Sequence, residues 1–215
     1  MNAIKLNFTK TDDDLFGKSK WWGAPDLPED WEYPVIDDDE GSYPLTFLCQ
    51  IRCADLAKYD TQNLLPHEGM LYFFACIDEY LDDDEHDYQC PYFNKYGEWD
   101  KKAFKVLYSP TTNNLSTYEI FWEDDTPAYK TEVEAITISI DDSDDDDSSE
   151  FHLLGAPSDP DVLDQCEGYI NLLQVDEEDR WDLSFVDCGM LNFLITPEDL
   201  KNRNFENAIV YLVYY

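Results

Sequence analysis

The most reactive side chains in this sequence are three histidines, His67, His86 and His152, and six cysteines, Cys49, Cys53, Cys76, Cys90, Cys166 and Cys188. None falls into a catalytic or metal-ligating pattern. No Gly-x-Ser-x-Gly elbow occurs and no cysteine stands in a recognisable nucleophile signature; phosphate loops and dinucleotide fingerprints are also absent. Cys49 and Cys53 are closely spaced, as are His86 and Cys90, but no second pair completes a zinc set. Asp142-Ser143-Asp144-Asp145-Asp146 offers carboxylates at alternate positions. Yet Asp147 stands where a calcium loop needs glycine, and Leu153 where it needs the closing glutamate. These patterns call for no cofactor and no resident metal, and they lean against an enzyme.

Binding chemistry is better represented. Gln50 and Gln174 end two similar apolar strands, where a buried amide has to find partners for both its carbonyl and its amino group. Their two roles are to tie each strand to a neighbouring loop or to line a cleft, and the first is favoured because most side-chain hydrogen bonds go to backbone. His152 directly precedes Leu153-Leu154-Gly155-Ala156-Pro157, where its ring is expected to orient the turn. Trp21 and Trp22 precede Gly23-Ala24-Pro25 and are either a binding surface or a cluster folded over a sheet edge.

The elements that must position these residues read mainly as strands: 45–51, 69–77, 104–108, 135–140, 169–175, 190–195 and 208–215. Near-continuous apolar runs predict burial on both faces, whereas Ile136, Ile138 and Ile140 alternate with polar residues and predict one solvated face. Helices are expected over 54–59 and 197–202, the latter capped by Thr196 with Pro197 in its first turn. Gly-Ala-Pro, a glutamine strand and Gly-Met-Leu occur twice in the same order. From this we expect an α+β fold, mostly β with short helices. It would be internally duplicated, with two pseudo-symmetric halves (about 1–145 and 146–215) packed as one unit in a single domain, 1–215.

Composition bounds the partners. The chain has 215 residues, 43% of them hydrophobic and 15% aromatic, enough for a folded core, yet a formal net charge of -35. Such charge repels nucleic acid, whose binding needs Lys and Arg, and disfavours anionic membranes. It accelerates encounter with a basic protein. The acidic runs Asp12–Asp14, Asp37–Glu40, Asp82–Glu85 and Asp141–Asp147 are expected in solvated loops. No secretory signal is visible and no apolar run is long enough to span a membrane, so the cysteines are expected as reduced thiols and the protein in the cytoplasm.

The chain resembles the YwqG-like family, a bacterial domain family without an established function. The likeness lies in Lys20-Trp21-Trp22-Gly23-Ala24-Pro25-Asp26-Leu27-Pro28, Pro44-Leu45-Thr46-Phe47-Leu48-Cys49-Gln50-Ile51, Leu65-Pro66, Gly69-Met70-Leu71-Tyr72-Phe73-Phe74, His152-Leu153-Leu154-Gly155-Ala156-Pro157, Leu172-Leu173-Gln174-Val175-Asp176 and Asp187-Cys188-Gly189-Met190-Leu191-Asn192-Phe193-Leu194-Ile195. Phe185-Val186 departs from the Trp-Gly expected before Asp187. The resemblance implies an α+β fold with an internal repeat and names no ligand. The leading expectation is therefore a non-enzymatic protein-binding module, such as an immunity-type protein for a basic toxin. The alternative is a small-molecule-binding protein or enzyme using Gln50, Gln174 and His152 in a cleft between the halves.

Overall fold

Apolar runs bounded by turn formers become antiparallel ladders, because each backbone N–H and C=O removed from water needs a partner. The computed structural model describes residues 3–37, 41–81, 95–122, 125–140, 151–186 and 188–215. The strands are β1 (Ile4–Lys10), β2 (Lys20–Trp21), β3 (Asp26–Pro28), β4 (Val35–Asp37), β5 (Ser42–Pro44), β6 (Thr46–Arg52), β7 (Met70–Ala75) and β8 (Gly97–Glu98). They continue as β9 (Phe104–Ser109), β10 (Leu115–Thr117), β11 (Glu134–Ile140), β12 (His152–Leu153), β13 (Ile170–Asp176), β14 (Met190–Ile195) and β15 (Ile209–Val213). The described residues also form three short helices, α1 (Cys53–Leu56), α2 (Pro160–Gln165) and α3 (Pro197–Asn202), and 3₁₀ turns at Asp78–Tyr80, Asp179–Trp181 and Phe205–Asn207.

This corrects the expected fold class. The chain is mostly β, with 40% strand and 13% helix, and eleven strands belong to one large antiparallel sheet. Neither an α+β division nor two pseudo-symmetric halves describes it. The helices are only four to six residues long, too short to form a layer of their own. The two compact units also interleave along the chain. One, the N-terminal unit, comprises Asn7–Ala75 and Lys102–Thr137; the other, the C-terminal unit, comprises Met1–Leu6, Cys76–Lys101 and Ile138–Tyr215. The repeated segments are therefore local likenesses of strand and turn, and they do not add up to like halves.

Within the N-terminal unit β2, β6, β7 and β9 pair in that order; within the C-terminal unit the order is β12, β13, β14, β15, β8. The four central strands β6, β7, β13 and β14 are buried almost throughout, as their unbroken apolar runs predict. Both β6 and β13 carry a bulge, between Phe47 and Cys49 and between Asn171 and Leu173. The Thr196 side chain accepts from the Asp199 N–H and starts α3 where the sequence placed it. Helix α2, capped by Asp159, has no counterpart among the expected elements.

Trp21 and Trp22 are buried. Their rings meet edge-on at 5.4 Å, and Phe8 packs on Trp21 at 5.2 Å. Cys49, Cys53, Cys166 and Cys188 are free thiols, but Cys76 is disulfide-bonded, which corrects the expectation of six reduced cysteines. Asp12–Asp14 is exposed as expected; the runs Asp82–Glu85 and Asp141–Asp147, with His86 and Cys90, lie outside the described residues, as do residues 38–40. Among the described residues no helix is long and apolar enough to cross a membrane.

Candidate functional site

Residues directly opposite one another in an antiparallel sheet project to the same face, so register alone can gather polar side chains from distant parts of the chain. In the N-terminal unit Lys20 faces Gln50, and Gln50 faces Tyr72. A left-handed turn at Trp22 (φ 59°) and Gly23 (φ 73°) follows β2, and Asp26, the first residue of β3, meets this row. Its Oδ2 accepts from Lys20 Nζ at 2.9 Å, Gln50 Nε2 at 2.8 Å and the Gly17 N–H at 3.0 Å. Its Oδ1 accepts from the Thr117 hydroxyl at 2.8 Å. The Asp26 N–H donates to Gln50 Oε1 at 2.8 Å, and Gln50 Nε2 also donates to the Lys18 carbonyl at 2.9 Å. The Tyr72 hydroxyl donates to the Asp26 carbonyl at 2.7 Å. Burial, then the Asp26 charge and then Cys53, push the Tyr72 phenol well up, so it stays a neutral donor. A buried carboxylate with an ammonium partner and a full set of donors is a lock: its acceptors are occupied from within the fold.

The C-terminal unit builds a second row by the same means. His152 faces Gln174, Gln174 faces Asn192, Asn192 faces Tyr211, and Tyr211 faces Glu98, with Lys5 of β1 opposite His152 at the other end. A left-handed turn at Leu154 (φ 59°) and Gly155 (φ 86°) again follows the short strand. Here the residue after Gly-Ala-Pro is Ser158. Its N–H donates to Gln174 Oε1 at 3.3 Å, and Gln174 Nε2 donates to its hydroxyl at 2.9 Å. Asn171 joins through the bulge in β13, donating Nδ2 to Gln174 Oε1 at 2.9 Å and meeting His152 Nε2 at 3.3 Å. Asn171 and Asn192 are both fully buried, and the Oδ1 of each has no hydrogen-bond partner. Ser158 and Ala156 are exposed, while His152, Met190 and Tyr211 are half-buried. This row therefore reaches solvent.

Beside it lies a face of tyrosines and carboxylates. Tyr96 donates its hydroxyl to Asp161 Oδ2 at 2.8 Å, and Tyr215 donates to Asp159 Oδ2. Tyr96 stands edge-on to Tyr214 at 5.5 Å and to Tyr211 at 6.2 Å. The hydrogen bond to Asp161, with a little burial and the charge of Asp161, pushes the Tyr96 phenol up to about 12. Burial raises Tyr211 as well, followed by Cys166 and by the carboxylates Asp161, Asp159 and Glu98. Tyr96 is 42% exposed, Leu163 of α2 46% and Tyr215 74%.

A family model, Domain of unknown function (DUF1963), matches residues 19–212. The chain belongs to DUF1963. A search of curated proteins finds no match. The matched span of this DUF1963 chain contains the side chains of both rows from Lys20 to Tyr211, while Lys5, Gly17, Lys18 and Tyr215 lie outside it. Of the residues singled out in the sequence, Gln174 and His152 join one cluster through Asn171, Gln50 belongs to the locked row, and Trp21 and Trp22 are core. Sequence reasoning did not single out Asp26, Lys20, Asn171 or Asn192. The one signal available was the residue after each Gly-Ala-Pro, aspartate in one place and serine in the other.

Proposed function

We propose that this DUF1963 chain is a cytosolic, non-enzymatic protein-binding module whose partner is a basic protein, with an immunity-type role against a basic toxin as its most specific form. The observation that carries this is the tyrosine-carboxylate face of the C-terminal unit. Phenols supply large, stiff apolar area with a polar tip, the composition favoured at interface centres, and Asp159 and Asp161 hold Tyr215 and Tyr96 by their hydroxyls. The net charge of -35 gives long-range attraction for a cationic partner. The YwqG-like motifs quoted above fall inside the matched residues 19–212, which supports that finer family assignment. Cytosolic placement is supported by the free thiols and has to accommodate the disulfide at Cys76.

The test is a pull-down from the native host at low ionic strength, followed by affinity measurement with the purified captured protein. The expected result is a basic partner whose affinity falls steeply with salt and at least tenfold on Tyr96→Ala or Asp161→Lys. Recovery of no basic partner, or an affinity indifferent to both substitutions and to salt, overturns the proposal.

A further inference from the structure

The two rows differ in one respect that points to a ligand. In the N-terminal unit the acceptors are met by the chain's own ammonium group, Lys20 Nζ on Asp26. In the C-terminal unit the register position of Lys20 is held by His152, and two fully buried carbonyl oxygens, Asn171 Oδ1 and Asn192 Oδ1, have no partner. A buried acceptor left unpaired costs about 1–3 kcal/mol, and both of these belong to residues that neighbour Gln174, one through its hydrogen bond and one opposite it in register. Native interiors rarely carry such acceptors unless something else fills them. Asn192 Nδ2, meanwhile, makes only long contacts, 3.4 Å to the Met190 carbonyl and 3.5 Å to that of Tyr211. Its amide is weakly held.

We infer that the Asn171–Gln174–Asn192 row of the C-terminal unit is a binding site for a guanidinium group, entering past Ser158 and Tyr211 to donate to the two free amide oxygens. A guanidinium presents several N–H donors in one plane and no acceptor, which suits two carbonyls on neighbouring strands. Sign favours it too: Glu98 faces Tyr211 across β8 and β15, Asp159 and Asp161 begin α2 alongside, and Asp176 is the next same-face residue beyond Gln174 on β13. Lys5, opposite His152, is the row's own cation and lies at its far end. The half-buried Tyr211 ring offers the π-face over which a guanidinium packs well. The group could arrive on a free small molecule or on an arginine of a protein; the second source rests on the basic-partner reading, the first does not.

Side-chain amide NMR separates these cases. The full chain is titrated with methylguanidinium, with L-arginine, with its neutral ureido isostere citrulline, and with an arginine-rich peptide. Saturable shifts of the Asn171 and Asn192 amide signals with the guanidinium probes are expected, with at least tenfold weaker response to citrulline. Asn192→Leu should weaken binding at least tenfold, while Glu206→Gln, on the surface after α3, should leave it unchanged. Wild-type shifts need no variant to fold, so they decide the matter if Asn192→Leu is unstable. Response to the free probes but not the peptide sustains the site and counts against a basic protein as its source. Peptide shifts confined to Tyr96 and Tyr215 sustain the partner reading and overturn the amide site. Absence of any amide shift, or equal response to citrulline, also overturns it and leaves the two oxygens to ordered water.

Discussion

Gln50 and Gln174 do the same local job in different surroundings. Each accepts, through Oε1, the backbone N–H of the residue that follows Gly-Ala-Pro, at 2.8 Å from Asp26 and 3.3 Å from Ser158. Around Gln50 stand a carboxylate, an ammonium and a tyrosine, and each donor meets an acceptor. Around Gln174 stand a serine, a histidine and two asparagines, and two acceptors are left over. The contrast shows that a shared strand-and-turn geometry fixes where a polar row runs but not whether it is closed. Closure is decided by two side chains, Asp26 for Ser158 and Lys20 for His152. Closed, the row stabilises; open, it is able to bind.

The sharpest way to break this comparison is to remove the two hydroxyl-or-carboxyl residues in turn. Asp26→Ala strands the Lys20 charge and the Gln50, Gly17 and Thr117 donors in the interior, and should cost about 3–5 kcal/mol. Ser158→Ala removes an exposed hydroxyl and should cost under about 1 kcal/mol. Chemical denaturation of both variants reads the difference; similar losses would mean that the rows are energetically alike. Replacing the ion pair as a whole, Asp26→Leu with Lys20→Met, should recover much of the Asp26→Ala loss, since a buried pair pays heavily for desolvation.

The glutamines come next. Gln50→Leu leaves the Asp26 N–H and the Lys18 carbonyl without partners, for a loss of about 2–3 kcal/mol, whereas Gln174→Leu frees a Ser158 N–H that lies next to solvent and an Asn171 Nδ2 that keeps its contact to His152, about 1–2 kcal/mol. Equal losses in thermal or denaturant unfolding would show that exposure at Ser158 gives no relief. The turns, by contrast, should behave as a matched pair. Gly23 and Gly155 both have positive φ, 73° and 86°, and a Cβ on either would lie 3.1 Å from a neighbour, Val133 Cβ or Ala3 Cβ. Gly23→Ala and Gly155→Ala should each cost about 1–2 kcal/mol, and unfolding midpoints should fall together. A large disparity would place the difference between the rows in the backbone instead of the side chains.

How much of this was legible beforehand follows from the kind of information each feature needs. The strand Met190–Ile195 and the helix Pro197–Asn202 are local: an apolar run, a capping threonine and a first-turn proline suffice, and both occur where the sequence placed them. That the glutamines tie strands to loops was also readable, because a buried amide has few alternatives. The fold class was not. Likeness between short segments does not make likeness between halves: the C-terminal unit takes residues from both sides of position 145, and the N-terminal unit is itself interrupted by Cys76–Lys101. The Lys20–Asp26 pair and the Asn171–Asn192 cluster depend on register between strands, including a one-residue bulge at Asn171/Leu173, and a single residue of slip would send these side chains to the other face. Trp21 and Trp22 carried no local sign of burial; their place is set by the pairing of β2 with β6.

The smallest effect tests whether charge in the C-terminal unit is as uncompensated as the comparison holds. Asp26 has a lysine; Asp161 accepts the Tyr96 hydroxyl. That bond holds Tyr96 protonated up to about 12, against an ordinary 10.0. The folded state therefore binds a proton that the unfolded chain has already lost, so its contribution is complete below pH 10 and disappears as the pH climbs through about 12. Tyr96 is largely solvated, so the effect on stability is slight, but absorbance is sensitive enough to see it. In an alkaline titration followed at the phenolate band, Asp161→Asn should move one tyrosine step down from about 12 toward 10 while the buried Tyr72 remains silent. An added salt series should shrink the wild-type displacement, since a carboxylate at the surface is screened over about 10 Å at 0.1 M. If the step stays put in Asp161→Asn, the carboxylate is not what raises Tyr96, and the acidic face loses the field on which its contrast with the locked row depends.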